Sequence, residues 1–235
     1  MLAVTDVRIP AACRHALITR GFRVITLPPF SALDPRVASH PDMLILPLLD
    51  RLFVHKAYYE EASNFIDEIL VHTNLRLTLT EDTVNANYPF DISLNLAAVG
   101  KLLIGRRDRM ANAVVAFAEN NGFSVCDAKQ GYAKCAAVPL GDTAIITADP
   151  SVEKTGRAAS LDVLRIREGF VALDGYDHGF IGGASGVYQN TVFFCGDLTA
   201  HPDANGIQNF CHRHGFDAVS LSNDPLYDVG TIFFF

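Results

Sequence analysis

The chain contains no run of about 18 consecutive apolar residues, so no membrane-spanning helix is expected. It has no excess of positive charge. Its 19 Lys and Arg against 26 Asp and Glu leave a net charge of −7, and a nucleic-acid partner, which needs a basic patch, is not expected. The first residues lack a charged stretch followed by a long apolar core, so no secretory leader is expected. Zinc-ligand spacing is missing too: Cys211-His212 and His214 stand close together without a second pair. The glycine-rich run from Gly182 to Gly186 precedes no helix and does not fit a phosphate loop. No strand leads through a glycine-rich loop into a helix, which excludes an open doubly wound sheet. Linkers and low-complexity stretches are absent as well, so residues 1–235 read as one domain.

What is present is a compact-domain composition, 49% apolar and 19% charged, with ample material for a core. The five cysteines, Cys13, Cys126, Cys135, Cys195 and Cys211, are odd in number and unpatterned. That favours free thiols in a reducing cytoplasm. Cys195 at the end of an apolar run reads as an inert core thiol.

There is also a recurrence. Gly21-Phe22, Gly122-Phe123, Gly169-Phe170 and Gly215-Phe216 each close a helix-like stretch and open an apolar run. Glycine takes the left-handed conformation that ends a helix, and the apolar residue after it packs back on the last turn. The last three pairs stand roughly 46 residues apart, and a period in the forties marks a repeat architecture. Asn74-Leu75 fills the missing place in the series, asparagine being the second choice for that conformation. Five units are expected, each strand, strand, helix, strand. The paired strands fall at 42–48 and 52–55, 91–97 and 101–104, 134–138 and 143–147, and 181–187 and 191–194. Helices follow at 56–71, 108–120, 152–167 and 203–214, and last strands at 76–80, 124–127, 171–173 and 217–221. The fifth unit is split. Its first strand is 226–235, its second 1–5, its helix 10–19 and its last strand 23–27. Pairing 226–235 with 1–5 would bury a tail that is an aggregation hazard when unpaired.

Five such α/β units in a ring resemble the pentein fold, a five-bladed α/β propeller with pseudo-fivefold symmetry. It is the fold of guanidine-modifying enzymes: amidinotransferases, deiminases and dimethylargininases. The resemblance covers the whole length in organisation more than in identity and points to a divergent branch. In those enzymes a cysteine nucleophile, a histidine of an H-x-D motif and acidic residues meet at the centre of the ring. Here His40-Pro41-Asp42 opens unit one with the H-x-D form. Gln130-Gly131-Tyr132-Ala133-Lys134-Cys135 opens unit three and resembles the G-G-x-x-C segment, two units beyond the histidine as in the family. The segment from Gly182 to Phe194 is similar to the T-R-D-x-G-V segment, but Gly183-Ala184 stands where Arg-Asp would be. In unit five either Asp224 or Asp228 would substitute for the family's acidic residue, and Asp91 of unit two stands at a position equivalent to Asp42.

The resemblance implies a cysteine-dependent hydrolase or amidinotransferase acting on a small C–N substrate through a covalent thiol intermediate, with no metal or organic cofactor. Cys135 would be the nucleophile, activated by a nearby imidazolium, and His40 the acid-base residue, with His178 an alternative histidine. Asp42, Asp91, Asp224 and Asp228 would orient substrate. Lys134 would favour the thiolate and repel a guanidinium, which keeps an anionic or neutral substrate open. The other reading is a non-catalytic pentein scaffold that binds a protein, a ribosome or a small ligand. The oligomeric state is left open.

Overall fold

The computed structural model describes residues 1–235. In chain order it begins with β1 (Leu2–Asp6), α1 (Ala11–Thr19), β2 (Arg23–Leu27), α2 (Pro41–Leu44), β3 (Ile45–Leu48), β4 (Arg51–His55), α3 (Lys56–Val71) and β5 (Arg76–Thr80). The middle of the chain forms β6 (Ala97–Val99), β7 (Leu102–Gly105), α4 (Asn112–Asn120), β8 (Ser124–Asp127), α5 (Ala133–Ala136), β9 (Ala137–Leu140), β10 (Ala144–Thr147), α6 (Pro150–Ala158) and β11 (Asp162–Arg165). The remainder is β12 (Ser185–Tyr188), β13 (Thr191–Phe194), α7 (Ala204–Arg213), β14 (Asp217–Ser220) and β15 (Phe233–Phe234).

The strands make five three-stranded sheets, ordered β3-β4-β5, β6-β7-β8, β9-β10-β11, β12-β13-β14 and β15-β1-β2. Each sheet has one plan. The first strand runs antiparallel to the central one, and the last runs parallel to it after a helical crossover. The split unit closes as expected: Ala3 pairs with Phe234 and Val4 with Phe233. Four hairpin turns begin alike, with Leu49, Gly100, Gly141 and Gln189 all at φ between 51° and 59°, the left-handed region that the three two-residue turns among them demand.

The apolar core divides into five clusters, and each one joins two neighbouring units. Leu27 and Ile25 of the split unit pack with Leu52 and Ile66 of unit one. Leu46 and Phe53 pack with Leu94 and Val114 of unit two. Ala97 and Ile104 pack with Ile145 and Val152 of unit three, Ile146 and Val138 with Phe194 and Ile207 of unit four, and Phe193 with Leu17 and Phe22 of the split unit. The series returns to its start, so both faces of the central strands are covered. β1 and β10 are buried at every position for this reason.

Some boundaries differ from the pattern reading. The helix expected over 152–167 ends at Ala158, and its last strand is β11 rather than 171–173. Ser160, at φ 64°, supplies the left-handed stop, and Leu161 N donates back to Gly156 O. Gly169-Phe170 lies in the loop beyond, where only an isolated bridge joins Ala172 to Tyr227. Asn74 does not take the left-handed conformation. The first strands of units one and three start later than expected, because the one-turn helices α2 and α5 precede them; Pro41 at the first turn of α2 pre-sets its φ. Within the 226–235 segment the strand itself is only Phe233–Phe234, continued by the paired backbone bonds between Phe235 and Leu2.

Phe234 packs against Phe22, Tyr188 and Phe193, with ring centroids 4.9–5.9 Å apart. Phe234→Ala is expected to cost about 2–3 kcal/mol in urea unfolding, whereas Val71→Ala at an exposed helix end should change stability by less than about 0.5 kcal/mol. Equal effects would contradict a structural role for the terminal seam.

Candidate active site

The main chain just before each first strand is buried, a single helical turn in units one and three and irregular in the others, so some of its polar groups need partners from outside the unit. Neighbouring units supply them. Asn95 of unit two donates through Nδ2 to Met43 Sδ of unit one, 3.3 Å away, and its Oδ1 accepts from Lys134 N of unit three at 2.8 Å. Gly183 N of unit four donates to Cys135 O at 2.8 Å. Val229 N and Thr231 N of the split unit both donate to Gly183 O, and Asp42 N donates to Gly230 O at 3.1 Å. This circuit brings His40, Cys135 and Asp228 to the floor of one cavity of about 160 Å³, whose wall includes Met43, Tyr132, Tyr176 and Phe180.

Cys135 donates through Sγ to Asp42 Oδ2 at 2.8 Å and accepts from Asn95 Nδ2 at 3.3 Å. One ligand atom each of Cys135, His40 and Asp228 lies within 4.8 Å of the other two, which makes them the residues able to hold a metal ion. His40 is 2% exposed. Its Nδ1 is 4.0 Å from Asp228 Oδ1 and its Nε2 3.7 Å from Asp6 Oδ2, both too long for hydrogen bonds. Asp6 is held in turn by Arg8, which donates to it from its backbone N at 2.7 Å and its Nε at 2.9 Å. Asp228 accepts from Phe180 N at 2.8 Å and Gly230 N at 2.9 Å.

Glycine has a specific use here. A Cβ on Gly183 would sit 2.0 Å from Asp228 Oδ1, so the missing side chain at 183 is what admits the Asp228 carboxylate. The Asp228 carboxylate of the neighbouring unit thus occupies the space beside residue 183. On the opposite side Gly230 presses on His40, where a Cβ would meet His40 Cβ at 2.2 Å.

Burial controls the charges. It holds His40 below its usual range, and the nearby Asp228 and Asp6 only partly oppose this. It pushes Asp42 up to about 6, against the pull of Cys135 and Lys134, and raises Asp228 as well. The Cys135 thiol is pushed well above its usual value, first by burial and then by the Asp42 and Asp228 carboxylates. Burial thus disfavours the charged form of each member of the expected imidazolium–thiolate pair.

The other expected site residues are placed as follows. Asp42 lies behind Cys135 rather than in the cavity wall. Asp91 is one residue removed, its Oδ2 accepting from Tyr132 OH at 2.7 Å. His178 lines the cavity, with Nδ1 3.0 Å from Gly179 O. Lys134 turns away from Cys135 along α5, and its Nζ donates to Thr231 Oγ1 in a separate cavity beside Phe233 and Ile232. Asp224 is exposed in the loop before Leu226, because the bonds between Leu226, Asp228 and Ala172 carry only Asp228 inward. Sequence reasoning missed Asn95, Tyr132 and Asp6. Asn95 had a signal, a lone amide within the apolar run Leu94-Asn95-Leu96-Ala97.

Solved structures share this arrangement of units. The agmatine deiminase of C. jejuni superposes with a TM-score of 0.57 at 8% identity, covering 94% of this chain and 87% of that one. DDAH from Pseudomonas aeruginosa, complexed with citrulline, gives 0.55 at 12% identity over 94% and 91%. An amidinotransferase from Microseira wollei, of the saxitoxin biosynthetic pathway, gives 0.55 at 12% identity over 89% and 72%. The fold is therefore the pentein fold, on which guanidine-modifying enzymes are built. No curated protein matches the sequence. Residues 4–233 match the family described as "Family of unknown function (DUF6873)", and the chain belongs to that family.

The buried Asp42 carboxyl makes a pH-dependent contribution to stability. A carboxyl whose pKa is higher folded than unfolded favours folding where it is protonated, and that advantage is lost as pH rises through about 6. Asp42→Asn should therefore be more stable than wild type at pH 8, by up to about 3 kcal/mol, with the gap closing by pH 4. Urea unfolding at both pH values checks this, and a variant less stable than wild type at pH 8 would contradict it.

Proposed function

We propose that the protein is a cysteine-dependent enzyme that modifies a small amidine or guanidine, as hydrolase or amidinotransferase. The observation that carries this is the convergence of Cys135 Sγ, a His40 ring nitrogen and an Asp228 oxygen within 4.8 Å on the floor of a small cavity. Asp228 offers its carboxylate to the substrate's positive charge. The Lys134 ammonium lines the other cavity and acts on Cys135, Asp42 and Asp228 only through space. A bound cation beside Asp228 also favours the thiolate, which the free protein disfavours. The sulfur then attacks the central sp² carbon and forms a C–S bond. The S–H proton passes through neutral His40 to the nitrogen that leaves, and the C–N bond breaks. Water, or an acceptor amine, next breaks the C–S bond and restores the thiol. Tyr132, Tyr176 and Phe180 exclude bulk water and present aromatic faces suited to a planar cation. A small planar group fits the cavity volume.

The near-complete burial of Cys135 favours one other reading, a binding scaffold in which the thiol only packs. Chloroacetamidine and chloroacetamide separate the two, since they differ in charge and hardly in shape. At pH 7.5 the cationic reagent should label Cys135 at least about tenfold faster than the neutral one, and Asp228→Asn should erase most of that ratio. Peptide mass spectrometry reads the rates. Equal, slow labelling of Cys135 by both reagents would make the scaffold reading the better one.

A further inference from the structure

The cavity on the other side of α5 has a volume of about 260 Å³ and lies between the first strands of three units. Val138 and Pro139 of β9, Val187 of β12, and Ile232 and Phe233 of the split unit give it apolar walls. Lys134 is the one charged residue in its lining. The Lys134 ammonium has a single hydrogen-bond partner, Thr231 Oγ1. An ammonium carries three donors, so two are unused. Burial pulls Lys134 below its usual range, and Asp42, Cys135 and Asp228 oppose this only through space.

The hydroxyl that meets this ammonium is held against local preference. Thr231 has a left-handed φ of 75°, a conformation that β-branched residues rarely adopt. Two bonds fix it there: Thr231 N donates to Gly183 O at 2.8 Å, and Oγ1 donates to Gly182 O at 2.7 Å. The hydroxyl proton is committed to Gly182, and the oxygen remains to accept from Lys134. Residues strained in this way gather at ligand sites.

We propose that this cavity binds a small organic monocarboxylate, with its carboxylate on the Lys134 ammonium and its apolar body between Val138, Val187 and Ile232. The two unused N–H groups suit a carboxylate, which accepts charge-assisted bonds, and one negative charge matches one ammonium. A dianion such as phosphate finds no second cation in the lining and meets the field of Asp42 and Asp228 across α5. An apolar cavity of about 150 Å³ admits a benzene ring, so the larger volume here leaves room for a short spacer and the carboxylate. The site shares no lining residue with the central cavity and does not depend on the enzymatic reading.

The test is isothermal titration calorimetry of the full-length protein at neutral pH with 3-phenylpropanoate, its neutral amide 3-phenylpropanamide, and inorganic phosphate. The carboxylate should bind with a Kd below about 1 mM, and the amide and phosphate at least about tenfold more weakly. Lys134→Met keeps an unbranched side chain without the charge and should abolish the preference for carboxylate over amide. Tyr176→Ala, in the wall of the central cavity, should leave the carboxylate's affinity within about twofold. No carboxylate binding, phosphate binding as tight as the carboxylate, a preference that survives in Lys134→Met, or loss of binding in Tyr176→Ala overturns the proposal. Should Lys134→Met fail to fold by circular dichroism, the wild type decides. In protein labelled at valine and isoleucine methyl groups, nuclear Overhauser effects from the carboxylate's ring must reach Val187 and Ile232, and their absence overturns the site.

Discussion

The arrangement depends on hydrogen bonds that pass from each unit to the next around the centre. The chain entering each first strand cannot pair within its own sheet, and it is too deep for water. Asn95, Gly183 and Gly230 supply the missing partners across unit boundaries. Because every unit satisfies its neighbour, the inward segments are held at fixed spacing. Residues as far apart in sequence as His40 and Asp228 come within a few ångströms without any long element to carry them. The five apolar seams outside this circuit supply the driving force, while the polar circuit sets which side chains face inward. A seam could tolerate a change of volume at modest cost. The centre could not, because Gly183 and Gly230 leave no room for one carbon atom beside Asp228 and His40.

Electrostatically the centre is overloaded with acid. Asp6, Asp42 and Asp228 surround one imidazole and one thiol, and the compensating cations stand behind them: Arg8 on Asp6, and Lys134 on the far side of α5. Burial answers this excess by disfavouring charge on Asp42, Asp228 and Cys135 together. Proton uptake relieves a site in that state, and so does an incoming positive charge.

Much of the repeat could be read from residues alone because its signals are local. The helix Lys56–Val71 and the strands Arg23–Leu27, Arg76–Thr80 and Ser124–Asp127 follow from periodicity and helix stops. The failure over 152–167 also has a local cause. Ser160 adopts a conformation usually left to glycine, so Gly169-Phe170 imitated a stop that had already occurred. At the centre, Cys135, His40 and Asp42 were legible because short motifs surround them. The placement of Lys134 could not be read, because one turn of helix, invisible in the sequence, sends adjacent side chains to different cavities. Asn95 and Asp6 act through neighbouring units, and no pattern within one segment announces a partner on another.

The split unit leaves the two ends of the chain bonded together, Leu2 N donating to Phe235 O at 2.9 Å and Phe235 N to Leu2 O at the same distance. In a closed array of like units the point of interruption is arbitrary with respect to the seams. Joining residues 235 and 1 through a short peptide and reopening the chain within 81–90, between units one and two, would preserve all five seams and the whole central circuit. The molecule is thus physically a circle on which sequence numbering is imposed. Circular permutants cut in different inter-unit loops would share one native state and differ in the order in which it is assembled.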